Sequence, residues 1–109
     1  WKDPRVTAEL GLAFDAAKYL VGDDEAQREL LADALASGDR AYVAHALGTI
    51  ARARGGLTKL AEETGLKRQA LHRALSKDGN PTLDTLLKVL TALGLRATVE
   101  NSEDHPKAA

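Results

Sequence analysis

The chain has 109 residues, enough for one modest core, and its 44% apolar and 28% charged residues are the balance expected of a soluble globular domain. It contains no cysteine, which excludes disulfides, thiolate zinc sites and cysteine nucleophiles. The net charge of −1 conceals a division: residues 1–50 carry five Lys/Arg against nine Asp/Glu (−4), residues 51–100 carry nine against five (+4), and the tail from Asn101 carries one against two (−1).

Alanine and leucine dominate, β-branched runs are absent and aromatics make up only 4%, so the expected fold is mostly helical. No apolar run approaches membrane-spanning length and no signal peptide opens the sequence, which makes the cytoplasm the expected location and a membrane an unexpected partner.

Residues 1–13 show no sustained period and are expected to be frayed or extended. Residues 14–20, FDAAKYL, suit a short helix entered at Asp15, with Phe14 and Tyr19 at the places of a hydrophobic staple. Two readings of these aromatics stand open, a pin to the core and an anchor for a partner. Asp23, Asp24 and Glu25 open the next helix, where first-turn acids are favoured and Asp24 with Gln27 resembles a capping box. Ala26, Leu30, Leu31, Ala34 and Leu35 fall on its apolar stripe, and Gly38 ends it. Asp39 caps a third helix whose buried face is Val43, Ala46, Leu47, Ile50 and Ala51, stopped by Gly55 and Gly56. His45 lies opposite that stripe with no second ligand at metal spacing, so it reads as solvated, and no metal is expected.

Residues 57–76, LTKLAEETGLKRQALHRALS, match a helix-turn-helix. Ala61 permits close crossing of two helices, Gly65 supplies the left-handed turn residue, and Leu60, Leu66, Leu71 and Ala74 form the wedge between them. Facing outward from the second helix are Lys67, Arg68, Gln69, His72 and Arg73. Arginine forks to guanine, glutamine pairs to adenine and a helix fits the major groove, so these side chains suit DNA reading. Residues 52–77 hold seven bases against two acids, a cationic footprint on the motif itself. The bland alternative is a helical hairpin with a solvated polar face.

Residues 77–81, KDGNP, form a loop by composition, and Thr82 caps a last helix with Leu83, Leu86, Leu87, Leu90 and Leu93 expected to face inward and Gly94 ending it. Residues 95–100, LRATVE, alternate as one short strand, which must pair with another part of this chain or with a second copy. The polar tail, residues 101–109, is expected to be disordered. The organisation is therefore an N-terminal segment (1–22), a helical domain (23–100) and a tail (101–109). An enzyme reading fares badly, with no Gly-rich phosphate loop and no paired carboxylates in an apolar setting; Glu62 and Glu63 are adjacent on an exposed helix face. RNA binding lacks the stacking aromatics of single-strand readers.

The run FDAAKYL, the acidic helix after it, IARARG, LAEETGLKRQALHRALS, DGNPTLDTLLKVLTALGL and the closing strand resemble the addiction-module antidote proteins. These are small bacterial antitoxins with a Cro/C1-type helix-turn-helix, partnered by RelE/ParE-like toxins. The resemblance spans about 14–100 and implies an all-α, lambda-repressor-like bundle of about five helices plus a short C-terminal strand. It also implies a homodimer, toxin neutralisation and repression of the protein's own operon, with no cofactor. The family often has Ser or Thr where Lys67 stands, so helix capping there is weaker and a phosphate or base contact by Lys67 is open.

On that reading a dimer sets two recognition helices into successive major grooves of a palindromic operator in double-stranded DNA. Arg68, Gln69, His72 and Arg73 meet base edges, with His72 equally suited to face water, while Thr58, Lys59, Lys67 and Lys77 hold phosphates. The acidic half suits a basic toxin surface, through Phe14, Asp15, Tyr19, Asp23, Asp24 and Glu25, or else merely solubilises a helix. The alternative function is a dimeric helix-turn-helix transcriptional regulator without a toxin partner.

Overall fold

The computed structural model describes residues 16–102. They form a 3-10 turn (Ala16–Tyr19) and five α-helices: α1 Asp24–Ser37, α2 Arg40–Ala53, α3 Gly56–Thr64, α4 Arg68–Ala74 and α5 Leu83–Ala92. Phe14, Asp15 and the expected staple lie outside the described residues.

Local capping chemistry explains most helix boundaries. The Asp23 carboxylate accepts from the Ala26 amide at 2.9 Å, Asp39 from the Ala41 amide at 2.9 Å, and the Thr82 hydroxyl from the Thr85 amide at 3.1 Å. Each satisfies an amide that the first turn leaves without a helical partner. The first of these corrects the expected capping box on Asp24 and Gln27. Gln27 is only 2% exposed; its Nε2 donates to the Leu20 carbonyl at 2.7 Å and its Oε1 accepts from Arg54 at 3.3 Å. A buried amide must pair, and here it ties the 3-10 turn to the end of α2 instead of closing a helix end.

α2 is the central element. It packs against α1, α3 and the 3-10 turn, and Ala44, Ala46, Leu47, Gly48, Thr49, Ile50, Ala51 and Ala53 are all buried. The core joins Leu31, Leu47, Ile50, Leu60, Leu71, Leu75, Val89, Leu90 and Leu93. α3 lies across both α4 and α5.

Two stripes differ from expectation. Leu35 is 48% exposed, because α1 docks along Gln27, Leu31 and Ala34, and Leu35 falls a further 100° round the helix. On α5, Leu83 and Leu87 are 70% and 50% exposed while Val89 is fully buried. The helix is apolar over a wide arc, and Leu86, Val89, Leu90 and Leu93, spaced i, i+3, i+4 and i+7, meet the core together with Ala92.

The expected strand at residues 95–100 is not formed: among the described residues there is no strand at all. A strand exists only through its ladder, and no second extended run among the described residues offers one. After Leu95 donates to the Leu90 carbonyl at 2.8 Å, closing α5, the chain continues in the open, with Val99 99% exposed.

Candidate nucleic-acid interface

α3 and α4 are joined by a three-residue turn whose geometry follows from its side chains. Gly65 takes φ 76°, a left-handed conformation that costs glycine nothing, and its amide donates to the Ala61 carbonyl at 2.9 Å. The Thr64 hydroxyl donates to the Leu60 carbonyl at 2.8 Å and accepts from the Leu66 amide at 3.2 Å, bracing the turn. Lys67 stands at the N-cap of α4 without a side-chain cap, as its lack of an acceptor oxygen requires.

The seven residues of α4 divide cleanly. Leu71 is fully buried in the core, whereas Arg68, Gln69, His72 and Arg73 are exposed and line one shallow depression. The structure thus brings together all four residues expected to touch bases. Thr58 on α3 joins them: Arg68 Nε donates to the Thr58 hydroxyl at 3.1 Å, a bond that does not use the two terminal nitrogens of the guanidinium fork. Lys67 and Lys77 are exposed at the two ends of α4. Lys59 is exposed on α3, where it lines a separate recess with Arg54, Glu63 and Leu93.

What positions α4 was not apparent from periodicity. Gly48 of α2 lies so close to the Leu75 carbonyl at the end of α4 that any Cβ there would overlap a backbone atom. Gly79, in the following loop, meets the Arg73 and Ala74 carbonyls in the same way, and its own carbonyl accepts from the Arg40 guanidinium. Two glycines and one arginine therefore clamp the C-terminal end of α4. The only sequence signal was Gly48 itself, a poor helix former in the middle of a helix.

On the acidic side, Asp24 and Glu25 are exposed in the first turn of α1 and Tyr19 is 64% exposed nearby in sequence, whereas one oxygen of Asp23 is occupied by the cap. Val21, 65% exposed, adds apolar surface to this stretch. Tyr42 donates to Asp33 at 2.6 Å, linking α2 to α1; that bond, with partial desolvation and the carboxylate's charge, raises the phenol above its usual value. Among the described residues no group of His, Asp and Glu is arranged to hold a metal ion, and no helix is long and apolar enough to cross a membrane.

These features define a protein whose described residues are all helical and turn, with Arg68, Gln69, His72 and Arg73 exposed together on one short helix backed by the core. The chain belongs to the family described as "Probable addiction module antidote protein", whose model matches residues 11–101. A relative from Haemophilus influenzae, described as an uncharacterized protein, is 39% identical over 89 residues, covering 82% of this chain and 90% of its own length. No solved structure matches. Family membership supports an antitoxin role and, with it, a toxin as protein partner.

Proposed function

We propose that the protein is a DNA-binding antitoxin that neutralises a RelE/ParE-like toxin and represses its own operon in the cytoplasm. In this reading residues 57–76 are a helix-turn-helix of the lambda-repressor-like kind, and α4 is its recognition helix. The observation that carries it is the division of α4, with Leu71 in the core and Arg68, Gln69, His72 and Arg73 presented together on the outside. A helix offering two guanidinium forks and an amide matches the donor and acceptor pattern of the major groove. A dimer would place two such helices about one helical turn apart on a palindrome. Lys59, Lys67 and Lys77 contact phosphates, which fix register without reading sequence. Thr58, besides reaching a phosphate, orients Arg68 through the bond described above.

The toxin meets the acidic end, where Tyr19, Val21, Asp24 and Glu25 combine apolar surface with negative charge; Asp23, Phe14 and Asp15 are further contacts in this reading. Such a surface complements the basic face a nucleic-acid-directed toxin presents.

The test is co-purification with the product of the adjacent small gene, followed by titration of free protein and complex on the upstream promoter at two salt concentrations. A stable complex with salt-dependent, sequence-selective binding is expected. Selective DNA binding with no partner would leave a plain repressor. Absence of selective binding would remove the assignment of α4.

A further inference from the structure

The loop that follows α4 is fixed at its centre. Gly79 is buried there: its amide donates to the Ser76 carbonyl at 2.8 Å, its carbonyl accepts from the Arg40 guanidinium, and a Cβ on it would overlap the Arg73 and Ala74 carbonyls. Asn80 comes next and is followed by Pro81, whose ring fixes its own φ and confines the residue before it to extended backbone. The backbone on both sides of Asn80 is therefore set before anything binds. Its side chain is exposed and, among the described residues, has no hydrogen-bond partner. A loop asparagine ordinarily commits its side chain to nearby backbone. Here both donor and acceptor are left for a ligand.

Asn80 also stands beside the candidate interface. An open depression lined by Ala70, Arg73, Ala74, Asp78, Gly79 and Asn80 adjoins the one on α4, and Arg73 belongs to both. One surface thus runs from the helix onto the loop. Arg73 and Asp78 are exposed and, among the described residues, neither has an ion pair, so guanidinium and carboxylate are separately available.

Charge decides what the loop end of this surface meets. Residues 78–80 hold one acid and no base, so a phosphate opposite them would be repelled. Base edges in the major groove are the better match: the cytosine amine donates to a carboxylate, a side-chain amide pairs with adenine, and the exposed Ala70 methyl suits the methyl of thymine. We infer that Asp78 and Asn80 form a second reading element, with Asn80 contacting an adenine and Asp78 a cytosine amine beyond the base pairs met by α4. On the proposed reading of α4 as recognition helix, on which this rests, each half-site of the operator extends past that helix onto the loop. The buried Gly79 and Pro81 hold the two side chains in place, so little ordering is left for the moment of binding.

The experiment is fluorescence anisotropy of the full chain on the upstream promoter duplex and on duplexes in which each base pair of one half-site is replaced in turn. The parent is compared with Asn80→Ala, Asp78→Ala and Arg73→Ala, and circular dichroism with urea unfolding checks that each variant folds as the parent does. Asn80→Ala should bind the promoter about tenfold more weakly and cease to discriminate at one position, while keeping the discrimination that Arg73→Ala abolishes. Asp78→Ala should cease to discriminate at one G·C pair and bind no other duplex more tightly. Uniform weakening by Asn80→Ala, or uniform tightening by Asp78→Ala, would place the loop against phosphates and overturn the inference. A selective parent whose two loop variants keep its profile overturns the loop assignment alone. A parent that binds every duplex alike removes the reading of α4 and this inference with it.

Discussion

Replacing Thr58 by Ala tests whether α3 aims the side chains of α4. In the structure the Thr58 hydroxyl accepts from Arg68 Nε at 3.1 Å, and both residues are exposed. A solvent-exposed hydrogen bond of this kind contributes about 0.5–1 kcal/mol. Without it Arg68 must be ordered at the moment of binding, so the loss appears in affinity and leaves the stability of the free protein nearly unchanged. On a palindrome the loss counts twice, about 1–2 kcal/mol, or a 5- to 30-fold rise in Kd, against 2- to 5-fold on a half-site. Fluorescence anisotropy on the operator, on a half-site and on an operator altered at the base pair under Arg68 measures all three. Thr58→Ala should lose affinity for the operator and should discriminate less at that base pair, while Thr58→Ser should behave as the parent. Equal weakening on every sequence would make Thr58 a phosphate contact only, and unchanged binding would refute its role in aiming Arg68.

Arg73→Ala should cost about 1–3 kcal/mol of operator binding and relax specificity at one base pair; a variant that binds cognate and scrambled DNA as the parent does would remove Arg73 from the reading set. Gly48→Ala, which on propensity alone would stabilise α2 by up to about 1 kcal/mol, should instead destabilise the protein by about 1–3 kcal/mol, since the obstructing Leu75 carbonyl belongs to the backbone and cannot rotate away. Urea unfolding measures the sign, and a raised midpoint would show that α2 and α4 separate freely. Asp24→Lys with Glu25→Lys, leaving the Asp23 cap intact, should weaken toxin association and slow its on-rate, with circular dichroism measuring separately the helix-dipole cost of removing two first-turn acids; unchanged association kinetics would move the toxin contact elsewhere. Tyr42 is raised above the ordinary tyrosine value by its bond to Asp33, so the stabilisation from that bond is complete below pH 10 and is lost as pH rises through the higher folded value. Subtracting the phenolate absorbance titration of Tyr42→Phe from that of the parent should isolate a transition above pH 10, and a transition below it would show that the bond is not kept in solution.

The legible parts of this fold were those governed by groups a few residues apart. Asp39 and Thr82 were read as caps because an N-cap bond spans two or three residues, and Gly65 was read as the turn because its left-handed conformation is a local demand. The four exposed polar side chains of α4 followed from one buried anchor, Leu71, and the helical period. At the start of α1 two local solutions compete: Asp23 and Asp24 are equally good caps by sequence, and only its burial commits Gln27 to the Leu20 carbonyl instead of the helix end.

Sequence alone thus determined a mostly helical chain, the bounds of its last four helices to within a residue or two, the split between an acidic and a basic half, and a family pattern specific enough to point to an antitoxin. Those properties are set by nearest-neighbour chemistry and by composition. The tertiary structure alone decided which arc of the leucine-rich α5 docks, that residues 95–100 find no ladder within the described chain, and that Gly48, Gly79 and Arg40 clamp the end of α4. Each depends chiefly on groups brought together from more than twenty residues away, as Gly48 to Leu75 and Arg40 to Gly79, or on the absence of such a partner, and a one-dimensional pattern of apolar and polar residues does not encode which of two adequate faces meets the core first.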